Sequence, residues 1–241
     1  MRRNLAFGVC VAALLTTVSS SYAADRSYPS LKDGPPPVQR WSGCYVTLQG
    51  SYDSMDISNS LDGSRVTRNL QPDGFGIGGG AGCDWQSGKW VFGILGDGAS
   101  SDLSDTAVEK NFSDFRFRME SDWFATLRGR IGYAMDQGLI FHVPTLWYLT
   151  AGAAWTGLTA KSFVPGGVRT TDEQTTTGWT VGWGSENAIN DRWSFKTETL
   201  YVDYGTNTFF TPGDPVSGGK LKTDTTEWVT RIGLTYKFTG W

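Results

Sequence analysis

The chain has little of what enzymes and metal proteins are usually built from. Its 241 residues include one histidine, His142, and three cysteines, Cys10, Cys44 and Cys83. That leaves no ligand cluster for a metal, and no cofactor is expected. A G-x-S-x-G or comparable nucleophile motif is missing as well. Beyond the first two dozen residues no apolar run approaches the ~20 residues of a spanning helix, because glycine, threonine or a charge interrupts each stretch. Basic residues are not in excess either. With 21 Lys and Arg against 24 Asp and Glu, no patch for nucleic acid emerges. What the chain does have is 31 glycines and 11 tryptophans, with aromatics at 14%. Glycine opposes helix while Trp, Tyr, Phe and Thr suit a pleated surface, so an all-β chain with many turns is expected.

Met1 to Ala23 has the form of a secretory signal peptide: Arg2 and Arg3, an apolar stretch from Leu5 to Val18, then Ser21 and Ala23 before a cut. The apolar stretch is too short for an anchor. Its removal takes two Arg and no acid, moving the net charge from −3 to −5. Residues 24–40 are polar and proline-rich (Pro29, Pro35, Pro36, Pro37), which suits an extended periplasmic linker. Residues 41–241 then form one folded domain.

Read at period two, that domain yields eight strands. They run Cys44 to Ser51, Gly74 to Trp85, Trp90 to Asp97, Trp123 to Tyr133, Trp147 to Trp155, Gly178 to Ala188, Trp193 to Asp203 and Glu227 to Phe238. Short connectors alternate with long polar ones. This predicts an eight-stranded antiparallel up-and-down transmembrane β-barrel, with long loops outside the cell and short turns in the periplasm.

A soluble lipocalin-like barrel would also alternate, so the faces have to discriminate. In Trp123 to Tyr133 the large aromatics stand at the two ends of one parity. Ten steps of ~3.3 Å, tilted by ~40°, give ~25 Å of height, the thickness of an outer-membrane apolar band. Phe75 with Trp85 and Trp228 with Phe238 repeat this spacing, and Trp147 with Trp155 and Trp193 with Tyr201 approximate it. These ten residues are the expected aromatic girdles. On the opposite parity stand Asp84, Asp97, Arg128, Arg130, Glu186, Lys196, Glu198 and Arg231. Facing lipid near the midplane, each Arg or Lys would cost ~2–4 kcal/mol, so all eight should point inward and pair as a lumen charge network.

The stretches "WSGCYVTLQGSY" from Trp41, "GGGAGCDWQSGKWVFGILGD" from Gly78, "LRGRIGYAMD" from Leu127, "GWTVGWGSE" from Gly178, "WSFKTETLYVDYG" from Trp193 and "WVTRIGLTYKF" ending at Phe238 together resemble one family. It is that of the small Omp25/Omp31-type, OmpA-like outer-membrane β-barrel proteins of alphaproteobacteria. The resemblance spans essentially the whole chain after residue 23. It implies a barrel without a peptidoglycan-binding domain, in the outer membrane of a Gram-negative bacterium, of the kind described as porin-like or immunogenic surface proteins. Leu95 departs from an acid common in the family, and Ser185 and Asn187 from more apolar residues. The aromatic that closes the assembly signal is Phe238 or Trp241.

Cys44 and Cys83 share the outward parity of the first hairpin, which suits a cross-strand disulfide in an oxidising compartment; two free lipid-facing thiols are the alternative. His142, beside Pro144 in a short-side connector, should lie at the periplasmic rim, away from any catalytic serine. The acids Asp102, Asp105, Glu109, Asp172, Glu173, Asp214 and Asp224 belong to the long connectors, where solvated loop chemistry is expected. The reading is a non-enzymatic structural and surface protein with no catalytic residues, with a small-conductance porin or a lipid-modifying enzyme as alternatives. Its expected partners are outer-membrane lipid, lipopolysaccharide and the barrel-assembly machinery, which would read the C-terminal strand.

Overall fold

The computed structural model describes residues 40–61, 64–65, 71–108, 116–138, 142–163, 169–209 and 221–238. The expected signal peptide, nearly all of the proline-rich linker, Glu109, Phe141, Asp214 and Trp241 lie outside the described residues. No described residue is helical. Eight long strands follow one another: β1 (Gly43–Leu61), β2 (Asp73–Ser87), β3 (Trp90–Val108), β4 (Arg116–Met135), β5 (Thr145–Phe163), β6 (Arg169–Ala188), β7 (Trp193–Phe209) and β8 (Leu221–Lys237). Each pairs antiparallel with the next, and β1 pairs with β8 from Tyr45↔Lys237 to Leu61↔Leu221, which closes the cylinder. A two-residue strand, Ser64–Arg65, folds back on the end of β1.

The eight strands are those that alternation predicts, but they are much longer. β6 begins at Arg169 rather than Gly178, β8 at Leu221 rather than Glu227, and β1 continues from Ser51 to Leu61. Alternation detects only the stretch where one face meets lipid. Past that band the outward face turns polar and the alternation fades, yet threonine-rich segments such as Thr175 to Thr177 and Thr223 to Thr226 are still good strand formers. Asp102, Asp105, Asp172, Glu173 and Asp224 therefore stand on strands, not in loops. Thr206 donates to Asp224 across β7 and β8. Bulges mark the transition. Register shifts fall at Ser100/Leu103, Ser121/Trp123 and Asp203/Thr206, all at the end of the band remote from the short connectors.

The outer face is greasy through the band. Leu48, Phe75, Ile77, Trp85, Ile94, Leu127, Leu149 and Ile232 are all exposed. Of the ten expected girdle residues, eight are exposed, and Trp155 and Tyr201 are half-buried. Tyr201 packs against Trp179 and Trp228 with ring centroids 5.7 and 5.1 Å apart. Near the short-connector end Trp90 stacks edge-on with Tyr133 and Trp193 tilts against Tyr236, so the girdle holds more rings than expected.

Cys44 lies directly opposite Cys83 in the β1–β2 ladder, and the two sulfurs are bonded. The pairing sits where register is otherwise weakly specified, because β2 places glycine at 74, 76, 78, 79, 80 and 82 and offers few side chains to lock against β1. The link closes 39 residues of chain, for which loop-closure entropy gives about 4 kcal/mol. Thiol labelling of denatured, unreduced protein is expected to modify neither Cys44 nor Cys83; reduction should open both.

Candidate functional site

The interior of the barrel holds the polar chemistry. Arg128 and Arg130 share a parity in β4 and point inward two residues apart, so each guanidinium heads its own layer of the bore. The layer nearer the short connectors is built on Arg130. Its Nε donates to Asp84 Oδ1 at 2.8 Å, its Nη2 to the other Asp84 oxygen, and its Nη1 to Glu186 Oε2 at 3.2 Å. Ser194 donates to Glu186. The rings of Tyr45 and Tyr148 lie 4.8 and 5.1 Å from the guanidinium carbon, so the cation rests between two aromatic faces.

The second layer is built on Arg128 and Arg231. Arg128 reaches Asp97 at 2.5 Å and Glu198 at 3.0 Å, and its Nε donates to Thr126, which in turn donates to Asp97. Arg231 Nη1 reaches Asp97 Oδ1 at 2.6 Å and packs over Phe124. Lys196 approaches Glu198 at 3.5 Å. Tyr148 ties the layers together, because the ring that stacks on Arg130 carries the hydroxyl that donates to Glu198 at 3.1 Å.

The structure therefore brings together all eight residues expected in the lumen: Asp84, Arg130 and Glu186 in one layer, Asp97, Arg128, Lys196, Glu198 and Arg231 in the other. It also buries groups that the charge pattern did not single out. Tyr45, Gln49 and Tyr148 line the bore, and farther from the short connectors Asp53 accepts from Ser51 while Tyr204 donates to Glu227 at 2.7 Å. Parity alone would have found them, since Tyr45, Gln49 and Asp53 alternate with outward Val46 and Leu48, but a tyrosine in a ringed barrel reads as girdle. Leu95, the departure from an inward acid, is also buried.

The short-connector mouth is covered by the residues before β1. Trp41 is only 3% exposed and packs with Val91, Ala134, Leu146, Tyr148 and Ala188. Its backbone N–H donates to Gln86, the Lys237 ammonium lies 5.0 Å from its ring, and Arg40 pairs with Asp191. His142 is exposed in the connector between β4 and β5 with a φ of 50°, a left-handed conformation rare outside glycine. Among the described residues no group of three or more His, Cys, Asp or Glu is placed to hold a metal ion.

Comparison with known proteins bears on what such a cylinder is. Residues 10–238 match the family model described as outer membrane protein beta-barrel domain. The chain is 30% identical to the 31 kDa outer-membrane immunogenic protein of Brucella melitensis over 95% of its length and 97% of that protein. It is 27% identical to the 25 kDa outer-membrane immunogenic protein of the same organism, over 99% of this chain and all of that one. Among solved structures, the outer membrane protein OprG of Pseudomonas aeruginosa aligns with 83% of this chain and 97% of its own at 17% identity, with a TM-score of 0.48.

Proposed function

The chain belongs to the outer-membrane β-barrel family and resides in the outer membrane of a Gram-negative bacterium, and from that premise we propose that it is a non-enzymatic structural and surface protein with an ion-paired lumen. The observation that carries this reading is the span of the two charge layers. Asp84 on β2, Arg130 on β4 and Glu186 on β6 are joined in one, and Asp97 on β3, Arg128 on β4, Glu198 on β7 and Arg231 on β8 in the other. Side chains of non-neighbouring strands can meet this way only across the bore. Eight strands leave an interior about wide enough for side chains, so two such layers, with Trp41 beneath them, leave little room for an aqueous path. Charges and hydroxyls consumed in pairing are not free to bind or turn over a substrate.

In this reading the barrel contributes to envelope integrity by anchoring its apolar belt in the lipid and lipopolysaccharide. The strands that continue past the belt raise the connecting loops above the membrane surface for display. The assembly machinery would read β8 together with the residue that follows it, Phe238, which is exposed and packs edge-on against Tyr236. The experiment is planar-bilayer recording with purified protein. Stable incorporation without steady open channels is expected; steady channels would favour the small-conductance porin instead. Lipid A from cells with and without the protein should give the same mass spectrum, and a changed acylation pattern would point to an enzyme.

A further inference from the structure

The lipid-facing belt is apolar round most of the barrel and polar on one strip. Two residues in from the aromatic ring remote from the short connectors, β1, β2, β4, β5 and β6 turn Gly50, Ile77, Ala125, Ala153 and Val181 outward, whereas β7 and β8 turn out Thr199 and Thr230. Two residues farther in, Leu48, Gly79, Leu127 and Ala151 give way to Trp183 on β6 and Thr197 on β7. Ser185, the departure from a more apolar residue on β6, stands across the ladder from Thr197 and extends the same strip.

Some of these polar groups are satisfied within the chain and some are not. Ser185 and Thr197 share a hydrogen bond of 3.0 Å, and Asn187, nearer the connector end, accepts from Thr145 at 2.9 Å. Thr199 and Thr230 face each other in the β7–β8 ladder, but neither hydroxyl, nor the Trp183 indole N–H, makes a hydrogen bond among the described residues. The inward threonines Thr150 and Thr180, by contrast, each donate to a backbone carbonyl. Acyl chains offer Thr199, Thr230 and Trp183 no acceptor, so facing lipid alone these groups are costly. Rigid rings surround them: Trp183 lies edge-on to Trp228 with centroids 6.2 Å apart, and Tyr201 lies 5.1 Å from Trp228. Unpartnered donors framed by large exposed rings have the composition of the centre of a protein interface.

We propose that the strip on β6, β7 and β8 is where a second copy of this chain docks within the membrane. Assembly inserts every copy in the same direction, so a closed pair must be related by a two-fold axis along the membrane normal, and each residue then meets residues at its own depth. The strip fits that condition, because its polar groups occupy two neighbouring rungs, Trp183–Thr199–Thr230 and Ser185–Thr197. A hydroxyl both donates and accepts, so a threonine patch complements a copy of itself. Two convex cylinders touch only along a narrow band, which three adjacent strands can fill. This goes beyond the surface role proposed above and holds whether or not the bore conducts.

Oxidation of isolated outer membranes carrying Thr197→Cys should give a cross-linked species of twice the chain's mass. The native cysteines do not compete, since Cys44 and Cys83 are bonded to each other. Leu127→Cys, equally open to lipid on β4 but off the strip, should stay uncross-linked. Adding Thr199→Val and Thr230→Val to Thr197→Cys removes two hydroxyls at nearly constant shape, leaves the barrel folded as judged by its heat-dependent gel mobility, and should cut the cross-linked yield about fivefold. Without any engineered cysteine, the parent should sediment as a dimer from density-matched detergent, and the valine pair should weaken that dimer about tenfold. Cross-linking of Leu127→Cys as strong as that of Thr197→Cys, a yield unmoved by the valines, a cross-linked partner of another mass, or a parent that sediments as a monomer overturns the proposal.

Discussion

Replacing Arg130 with methionine should destabilise the barrel by about 3–5 kcal/mol, read as a lower urea midpoint for unfolding from detergent or lipid vesicles. The size of the effect comes from what the guanidinium leaves behind. Asp84 and Glu186 are 2% and 1% exposed, and Arg130 is their shared partner. Without it two carboxylates remain in the bore with no water to solvate them. The two tyrosine faces that flank the cation would also lose their contact. Arg130→Lys should recover only part of the loss, since an ammonium is a point charge and cannot fork between Asp84 and Glu186 while lying flat between two rings. The informative comparison is the triple variant Arg130→Met, Asp84→Leu, Glu186→Leu, in which no charge is stranded. It should be markedly more stable than Arg130→Met alone, because the penalty belongs to the unpaired charges and not to the absence of a salt bridge. Equal stability of Arg130→Met and the parent would show that this layer carries no structural weight.

Much of this arrangement could be read from the residues because lipid imposes a strict rule on one face of each strand. Arg128 and Arg130 flank Gly129 in β4, and only the inward parity can hold two guanidiniums, so their direction follows without coordinates. The same argument reaches Lys196 with Glu198 and, across the ladder, Arg231. What stayed illegible falls where that rule stops applying. Above the belt Thr176, Thr223 and Thr225 face inward while their neighbours are polar as well, so nothing in the alternation signals that the sheet continues. Tyr45 and Tyr148 were hidden for a different reason: a tyrosine suits an interfacial ring and a packed lumen equally well, and its choice depends on whether a cation is waiting across the bore. Trp41 precedes the first strand and has no alternation to be read from. Its burial depends on Val91, Leu146 and Tyr148 converging at the mouth from strands far apart in sequence.

The inward glycines supply the space on which the tyrosines depend, and filling that space should be nearly as damaging as removing the cation. A Cβ added at Gly82 would lie 2.5 Å from the Tyr45 hydroxyl and 2.8 Å from the Ile94 carbonyl oxygen. On the facing wall a Cβ at Gly184 would lie 2.5 Å from the Tyr148 hydroxyl and 2.5 Å from the Thr197 carbonyl oxygen. Each tyrosine thus reaches across its own strand pair to rest its tip on a bare backbone, which brings the ring over Arg130. Gly82→Val and Gly184→Val should each cost about 1–3 kcal/mol through overpacking, with part of the Arg130 stacking lost in addition. Relief by moving the tyrosine is limited, because a carbonyl oxygen of the neighbouring strand also stands within 2.8 Å and belongs to the ladder. Gly50→Ala is the control: a Cβ there meets only the Gly76 carbonyl oxygen at 3.8 Å, so its unfolding midpoint should stay with the parent. If Gly82→Val and Gly184→Val proved as harmless as Gly50→Ala, the tyrosines would not be seated on the glycines, and the sandwich around Arg130 would have to be held in some other way.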